Sequence, residues 1–220
     1  ALNGIAHWDG ASWSPLGLGI TGSPSSGPPT VRALAVFDDG GGPDLYVGGE
    51  FLQAGSVVAN GIARWNGSSW SRLGSGFDGI VHALQTFDDG TGPALYAGGT
   101  FSNAGGVPAS HIARWDGSSW SALVDGSGAQ VVSGPVRALA VFDDGAGPAL
   151  YAGGDSWIVV SGGAFAVNRI ARWDGYQWLL LGDSDFAPSC HTCTPRVLAL
   201  AVFDDGAGPA LHVGGEFDAA

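Results

Sequence analysis

The chain has 220 residues, eight Arg and no Lys against 20 acidic residues, 39 Gly, no Met and a formal charge of −12. That balance excludes binding to DNA, RNA or an anionic membrane surface, each of which needs a cationic footprint. No apolar run approaches the ~20 residues that a membrane-spanning helix requires. With neither a signal peptide nor a starting Met, the sequence reads as a processed protein or a piece of a longer one.

The first predicted element is "IAHWDGASW" from Ile5, and the same phrase returns as "IARWNGSSW" from Ile62, "IARWDGSSW" from Ile112 and "IARWDGYQW" from Ile170. The spacings are 57, 50 and 58 residues. Each copy predicts a β-hairpin, because an Asp-Gly or Asn-Gly pair between two short apolar segments favours a two-residue turn. The phrase holds eight of the nine Trp.

A second phrase alternates with it. After the Ser/Pro-rich loop "TGSPSSGPPT" comes "VRALAVFDDGGGPDLYVGGEF" from Val31, then "VHALQTFDDGTGPALYAGGTF" from Val81, "VRALAVFDDGAGPALYAGG" from Val136 and "VLALAVFDDGAGPALHVGGEF" from Val197. Short runs of Val, Leu, Phe and Tyr suit strands buried on both faces. Gly supplies positive φ and Pro withholds a ladder donor, so "DDGxGP" is a turn. No segment of helical period appears. A repeat of about 50 residues with four antiparallel strands is one propeller blade.

The expected fold is therefore all-β: a β-propeller of four four-stranded antiparallel blades filling residues 1–220 as one domain. The blades span 31–73, 81–123 and 136–181, with a fourth shared between 197–217 and 5–16. The shared blade closes the ring within one chain, or the chain is a segment cut from a longer repeat array, or its half-blade completes that of a neighbouring copy head to tail; a heterologous contact of the last kind gives rings or filaments. The Trp residues are expected to fill the wedge between adjacent blades, with exposed rings that stack on sugars as the alternative.

The repeated polar residues read as structural. Asp38-Asp39, Asp88-Asp89, Asp143-Asp144 and Asp204-Asp205 are expected to cap their own turns, in preference to holding Ca²⁺. Arg64, Arg114 and Arg172, with His7 in the fourth copy, are expected to pair with a repeated Asp. Arg32, His82 and Arg137 sit on the "VRAL" strands and are candidates to line a central channel and contact an anion. "SCHTC" interrupts the repeat; Cys190 and Cys193 are expected to form a disulfide, with half of a metal site as the alternative. "NGS" makes Asn66 a glycosylation acceptor on an accessible turn. No nucleophile elbow, phosphate-binding loop or zinc-protease motif is present, and no metal or cofactor is implied.

The order "LYVGG", loop, "IARWDGSSWSAL" resembles the kelch repeat, through Gly48-Gly49, Gly98-Gly99, Gly153-Gly154 and Gly214-Gly215 and the Trp pairs that follow. The Trp-Asp-Gly wording departs from kelch, where a Tyr and a longer turn are usual. It is closer to repeats of bacterial secreted proteins and fungal cortical-marker-type surface proteins. The resemblance implies a propeller of extracellular or cell-surface type and does not imply an enzyme. A copper centre of the galactose oxidase kind would need clustered His and Tyr, whereas His7, His82, His111, His191 and His212 are dispersed. The expected function is a non-catalytic structural or adhesive module that meets copies of itself, with a carbohydrate- or peptide-binding propeller as the alternative. Glycans are candidate partners; nucleic acid and membrane insertion are not.

Overall fold

The computed structural model describes residues 2–126, 128–129, 132–161, 164–181 and 195–217. They are all β, with no helix among them. A hairpin of β1 (Ala6–Trp8) and β2 (Trp13–Pro15) leads through β3 (Ile20–Thr21) into β4 (Thr30–Asp38) and β5 (Pro43–Glu50). The short strands β6 (Gln53–Ala54) and β7 (Val57–Val58) join β3 in a small loop ladder. Strands β8 (Ile62–Trp65) and β9 (Trp70–Arg72) then complete a first four-stranded sheet in the order β4-β5-β8-β9.

The second sheet repeats the plan with β10 (Val81–Asp88), β11 (Pro93–Gly99), the loop hairpin β12 (Asn103–Ala104) and β13 (Val107–Pro108), then β14 (Ile112–Trp115) and β15 (Trp120–Ala122). The third consists of β16 (Val136–Asp143), β17 (Pro148–Ser161), β18 (Ala164–Trp173) and β19 (Trp178–Leu180). A last pair, β20 (Arg196–Asp204) and β21 (Pro209–Glu216), stands as a two-stranded sheet, as does β1–β2.

The strands pair in one register throughout. Tyr46 faces Arg64, Tyr96 faces Arg114 and Tyr151 faces Arg172 across the second and third strands of each full sheet. The opening strands β4, β10, β16 and β20 lie side by side in chain order. The core sits between successive sheets, because strands apolar on both faces must bury both. Ile62, Leu73 and Phe77 of the first unit meet Leu95, Ala113 and Trp120 of the second; Ile112 and Leu123 meet Ala171, Trp173 and Trp178 of the third.

Trp pairs cross each outer hairpin with ring centroids 5.1–5.4 Å apart. In the second and third sheets both rings are buried, as expected of a wedge filler. Trp8 and Trp13 differ: they are exposed, because no described sheet precedes theirs to cover them. Each burial is worth several kcal/mol at roughly 25 cal/mol per Å² over the ~150–250 Å² of such a ring.

Among the described residues, β1–β2 pairs with itself and not with β21, so the two half-sheets that would make a fourth blade remain apart.

Candidate functional site

The residue that follows the first Val of each opening strand is set apart by a β-bulge. The ladder slips between Val31 and Ala33, between Val81 and Ala83, between Val136 and Ala138, and between Val197 and Ala199. The skipped residues are Arg32, His82, Arg137 and Leu198. A bulge leaves its extra residue unpaired and re-aims its side chain. Here it brings all four to one cavity of about 370 Å³, which is what convergence of the opening strands on a common axis produces. The bulge also explains the second Gly of the "GG" pair: a Cβ on Gly49 or Gly99 would lie 2.0 Å from the carbonyl oxygen of Thr30 or Ile80.

The cavity lining is polar, and both of its Arg residues pair with carboxylates beside it. Arg137 donates two hydrogen bonds to Asp155, at 2.9 and 2.8 Å. Arg196 reaches Asp155 at 3.8 Å and Glu216 at 3.9 Å, and Arg32 reaches Glu50 at 3.9 Å. Three guanidinium groups thus face three carboxylates. His82 Nε2 lies 3.0 Å from Arg137 Nη1. Burial, reinforced by the Arg137 and Arg32 charges, pushes the His82 imidazole down to about 4, so it is neutral at pH 7 and can accept from Arg137. Burial works against ionised Asp155, but the hydrogen bonds and charge of Arg137 outweigh it and hold the carboxyl below its usual range. The anion contact expected of Arg32, His82 and Arg137 meets a network already neutralised by its own carboxylates.

The paired Asp residues divide their work. Asp38 Oδ1 accepts from the backbone N–H of Gly40 and Gly42, at 2.8 and 2.9 Å. Asp88, Asp143 and Asp204 repeat this at their own turns. The second Asp reaches across the sheet. Asp89 accepts from Tyr96 Oη at 2.8 Å and lies 3.5 Å from Arg114 Nε; Asp144 accepts from Tyr151 Oη at 2.9 Å and lies 3.4 Å from Arg172 Nε. Arg64 is bound by both Asp39 and Asp44. Burial and the Asp89 carboxylate together raise the Tyr96 hydroxyl. These Asp residues are turn caps and tethers, and among the described residues no group of His, Cys, Asp and Glu could hold a metal ion.

Asn66 is exposed on its turn, where Oδ1 accepts from the backbone N–H of Ser68 and Ser69 at 3.0 and 2.9 Å. Cys190 and Cys193 lie outside the described residues. An apolar crevice of about 250 Å³ opens beside Phe51, Leu52, Phe77 and Ile80, between the first two sheets.

The bulges were not legible in the sequence, since nothing in "VRAL" marks the Arg as unpaired; the four-fold recurrence of a polar or odd residue at that place was the available signal. His7 was expected to join the Arg–Asp pattern. Instead its Nδ1 lies 3.4 Å from Ser14 Oγ, because the β20–β21 turn that carries Asp205 is not beside it.

No curated protein is similar enough to count as a match. Residues 20–192 match the family described as the Rax2 C-terminal beta propeller domain. Sheets repeating in one register, with opening strands converging on one cavity, are the geometry that description requires, and the chain belongs to the Rax2 C-terminal beta propeller domain family.

Proposed function

We propose that the chain is a non-catalytic structural or adhesive propeller module of the cell surface or extracellular space, built from kelch-like blades and assembling with copies of itself through its half-blades. The observation that carries this reading is the pair of half-sheets. β1–β2 has the outer half of a blade and β20–β21 the inner half, and among the described residues each presents an unpaired edge. Such edges template pairing with another chain. The repeated Asp, Arg and Trp residues are engaged in turns, tethers and packing, which supports a module without a catalytic centre. Export would add sugar at Asn66 and a Cys190–Cys193 disulfide, and a net charge of −12 keeps such a surface soluble. Electron microscopy and sedimentation of the purified chain test the reading: rings, filaments or concentration-dependent oligomers are expected, and a monomer at every concentration overturns self-assembly.

A second reading is a carbohydrate-binding propeller. It is supported by Trp8 and Trp13, whose exposed rings lie 5.3 Å apart and could stack on sugar faces. Quenching of Trp fluorescence by oligosaccharides, lost in Trp13→Ala, would favour it.

A further inference from the structure

The apolar crevice between the first two sheets has a counterpart between the second and third, and the chain treats the two places differently. Each is marked by the loop residue that closes onto the double Gly. In the first, Gly61 N–H donates to the Phe51 carbonyl and the Gly61 carbonyl accepts from Gly49 N–H, at 2.8 and 3.0 Å. In the second, His111 makes the same two bonds with Phe101 and Gly99, at 3.0 and 2.9 Å. Both residues are left-handed, with φ of +80° and +63°. Gly adopts that backbone freely, whereas a residue with a Cβ does so against its own preference.

A side chain at this position enters the gap between sheets. A Cβ on Gly61 would lie 3.3 Å from the Gly49 carbonyl oxygen, 3.4 Å from that of Gly79 and 3.9 Å from Phe77 Cβ, and all three residues line the crevice. At the counterpart the His111 ring is half-buried. Burial lowers the pKa of its imidazole, while the Gly99 carbonyl beside it and the charge of Asp155 on the third sheet work against that shift. Its Nδ1 is shut off from solvent and has no hydrogen-bond partner among the described residues. The chain thus sets a flat nitrogen ring of its own between one pair of sheets. It leaves the same place open between the other pair, because Gly61 has no side chain.

The open crevice measures about 250 Å³, room for a small ring with a short arm. Phe51, Leu52, Phe77 and Ile80 supply apolar walls. The charged side chains that line it, Glu50 and Asp78, are both acidic. Asp78 is spent on the backbone N–H groups of Ser102 and Asn103 and on the Asn103 amide. Glu50 has Arg32 at 3.9 Å, too far for a hydrogen bond, so its carboxylate can still take a donor.

We propose that this crevice binds a small cation built on a flat five-membered nitrogen ring, the shape that His111 supplies between the next two sheets. The ring sits among the apolar walls, its N–H faces the Gly49 carbonyl as the His111 ring faces that of Gly99, and its charged arm faces Glu50. The site lies between two complete sheets, so it goes beyond the assembly reading and needs neither half-blade.

Titration of the full chain at pH 8 with imidazole, which is then neutral, and with histamine tests the proposal, followed by calorimetry and by the amide NMR signals of Gly61 and Gly79. Each probe is expected to bind at one equivalent, in the millimolar range that so few atoms allow, and to shift both signals. Histamine, with its added ammonium, should bind about fivefold more tightly than imidazole, and imidazole acetic acid, with a carboxylate, about fivefold more weakly. Glu50→Gln should erase the advantage of histamine. Gly61→His, which copies the second place into the first, should abolish binding. His111→Gly, which copies the first into the second, should bind a second equivalent and gain melting temperature from imidazole. Because it relieves a strained backbone, it keeps the test decisive should Gly61→His fail to fold. The site is overturned if the wild type binds none of the three at tens of millimolar, if the shifted signals lie away from the crevice, if Gly61→His binds as well as the wild type, or if His111→Gly takes no second equivalent. Equal affinity for histamine and imidazole acetic acid overturns the preference for a cation.

Discussion

Trp120 and Trp13 hold the same place in the same phrase, yet the first is 5% exposed and the second 61%. Their hairpins turn alike, and both Trp pairs meet with centroids 5.3 Å apart. What differs is the neighbour. Trp120 packs against Leu73 and Phe77 of the preceding unit, and among the described residues Trp13 has no such unit beside it. In a repeat protein a residue's energy therefore belongs to an interface between units, and identical sequence does not carry identical stability. The largest expected effect tests this directly. Trp120→Ala should cost about 3–5 kcal/mol by urea unfolding, the usual range for emptying a buried Trp site. Trp13→Ala in the isolated chain should cost less than about 1 kcal/mol. Equal losses would mean that the first hairpin is packed in solution, against a copy or against the chain's own last sheet.

The same contrast recurs at the glycines, with a smaller effect. Gly153→Ala drives a methyl into Val197, and β-branched Val has few ways to yield. Overpacking of this kind costs about 1–3 kcal/mol. Gly214→Ala should fall within about 0.5 kcal/mol of the wild type when measured at concentrations where the chain is monomeric. A destabilised Gly214→Ala monomer would mean that Gly214, too, is packed against a neighbouring strand in solution.

Much of this architecture was legible in the residues, for physical reasons. Turn chemistry fixed the hairpins, since Asp-Gly and "DDGxGP" allow few backbone paths, and the four-fold spacing fixed the order of the sheets. Asp38 and its equivalents cap their own turns as an Asx residue before Gly should. Arg114 and Arg172 find the second Asp of their sheets because the register leaves both on one face. Two features escaped. The bulge that turns Arg32, His82 and Arg137 inward depends on how neighbouring opening strands crowd each other, which is a tertiary effect without a local signature. The double Gly could be aligned, but its two members do different jobs, one yielding to a carbonyl and the other to the next sheet. Pairing of β1 with β21 was not decided by the residues either. Both hairpins are complete as local structures, and what would join them is a contact between units.

The axis offers a third contrast, between a neutral and a charged side chain at equivalent bulges. His82 is half-buried between two guanidinium groups, with its imidazole pushed down to about 4. An unfolded His titrates near ~6.5. Between those values the unfolded chain binds a proton that the folded chain refuses, so stability falls as pH drops from about 6.5 to about 4 and no further on this account. Screening in a half-exposed site reduces the full linkage value, and a loss of about 1–2 kcal/mol is expected. His82→Gln, which keeps a hydrogen-bonding group without the titration, should flatten that window. Asp89 and Asp155 add a separate loss at lower pH, because both are held below their usual range when folded and must be protonated on unfolding. If the wild type and His82→Gln lose stability in parallel between pH 6.5 and 4, the imidazole is not held neutral at the axis.

The smallest effect concerns the Asp pairs, where turn caps and ion pairs can be separated from metal ligands. At Asp88 one carboxylate oxygen already accepts two backbone N–H groups, and Asp89 is shared between Thr91, Tyr96 and Arg114. A divalent cation would have to displace those donors, and the turn would have to supply further oxygens that point elsewhere. Adding millimolar Ca²⁺ or removing it with a chelator should therefore leave the melting temperature unchanged. Asp88→Ala, by contrast, should cost about 1 kcal/mol through the orphaned Gly90 and Gly92 N–H groups, the range found when a side-chain cap is lost. Arg114→Gln should cost about 0.5–1 kcal/mol, as partly exposed ion pairs do. A melting temperature that rises with Ca²⁺ in the wild type but not in Asp88→Ala would reverse the assignment, turning a backbone cap into a ligand and making the four turns one repeated metal site.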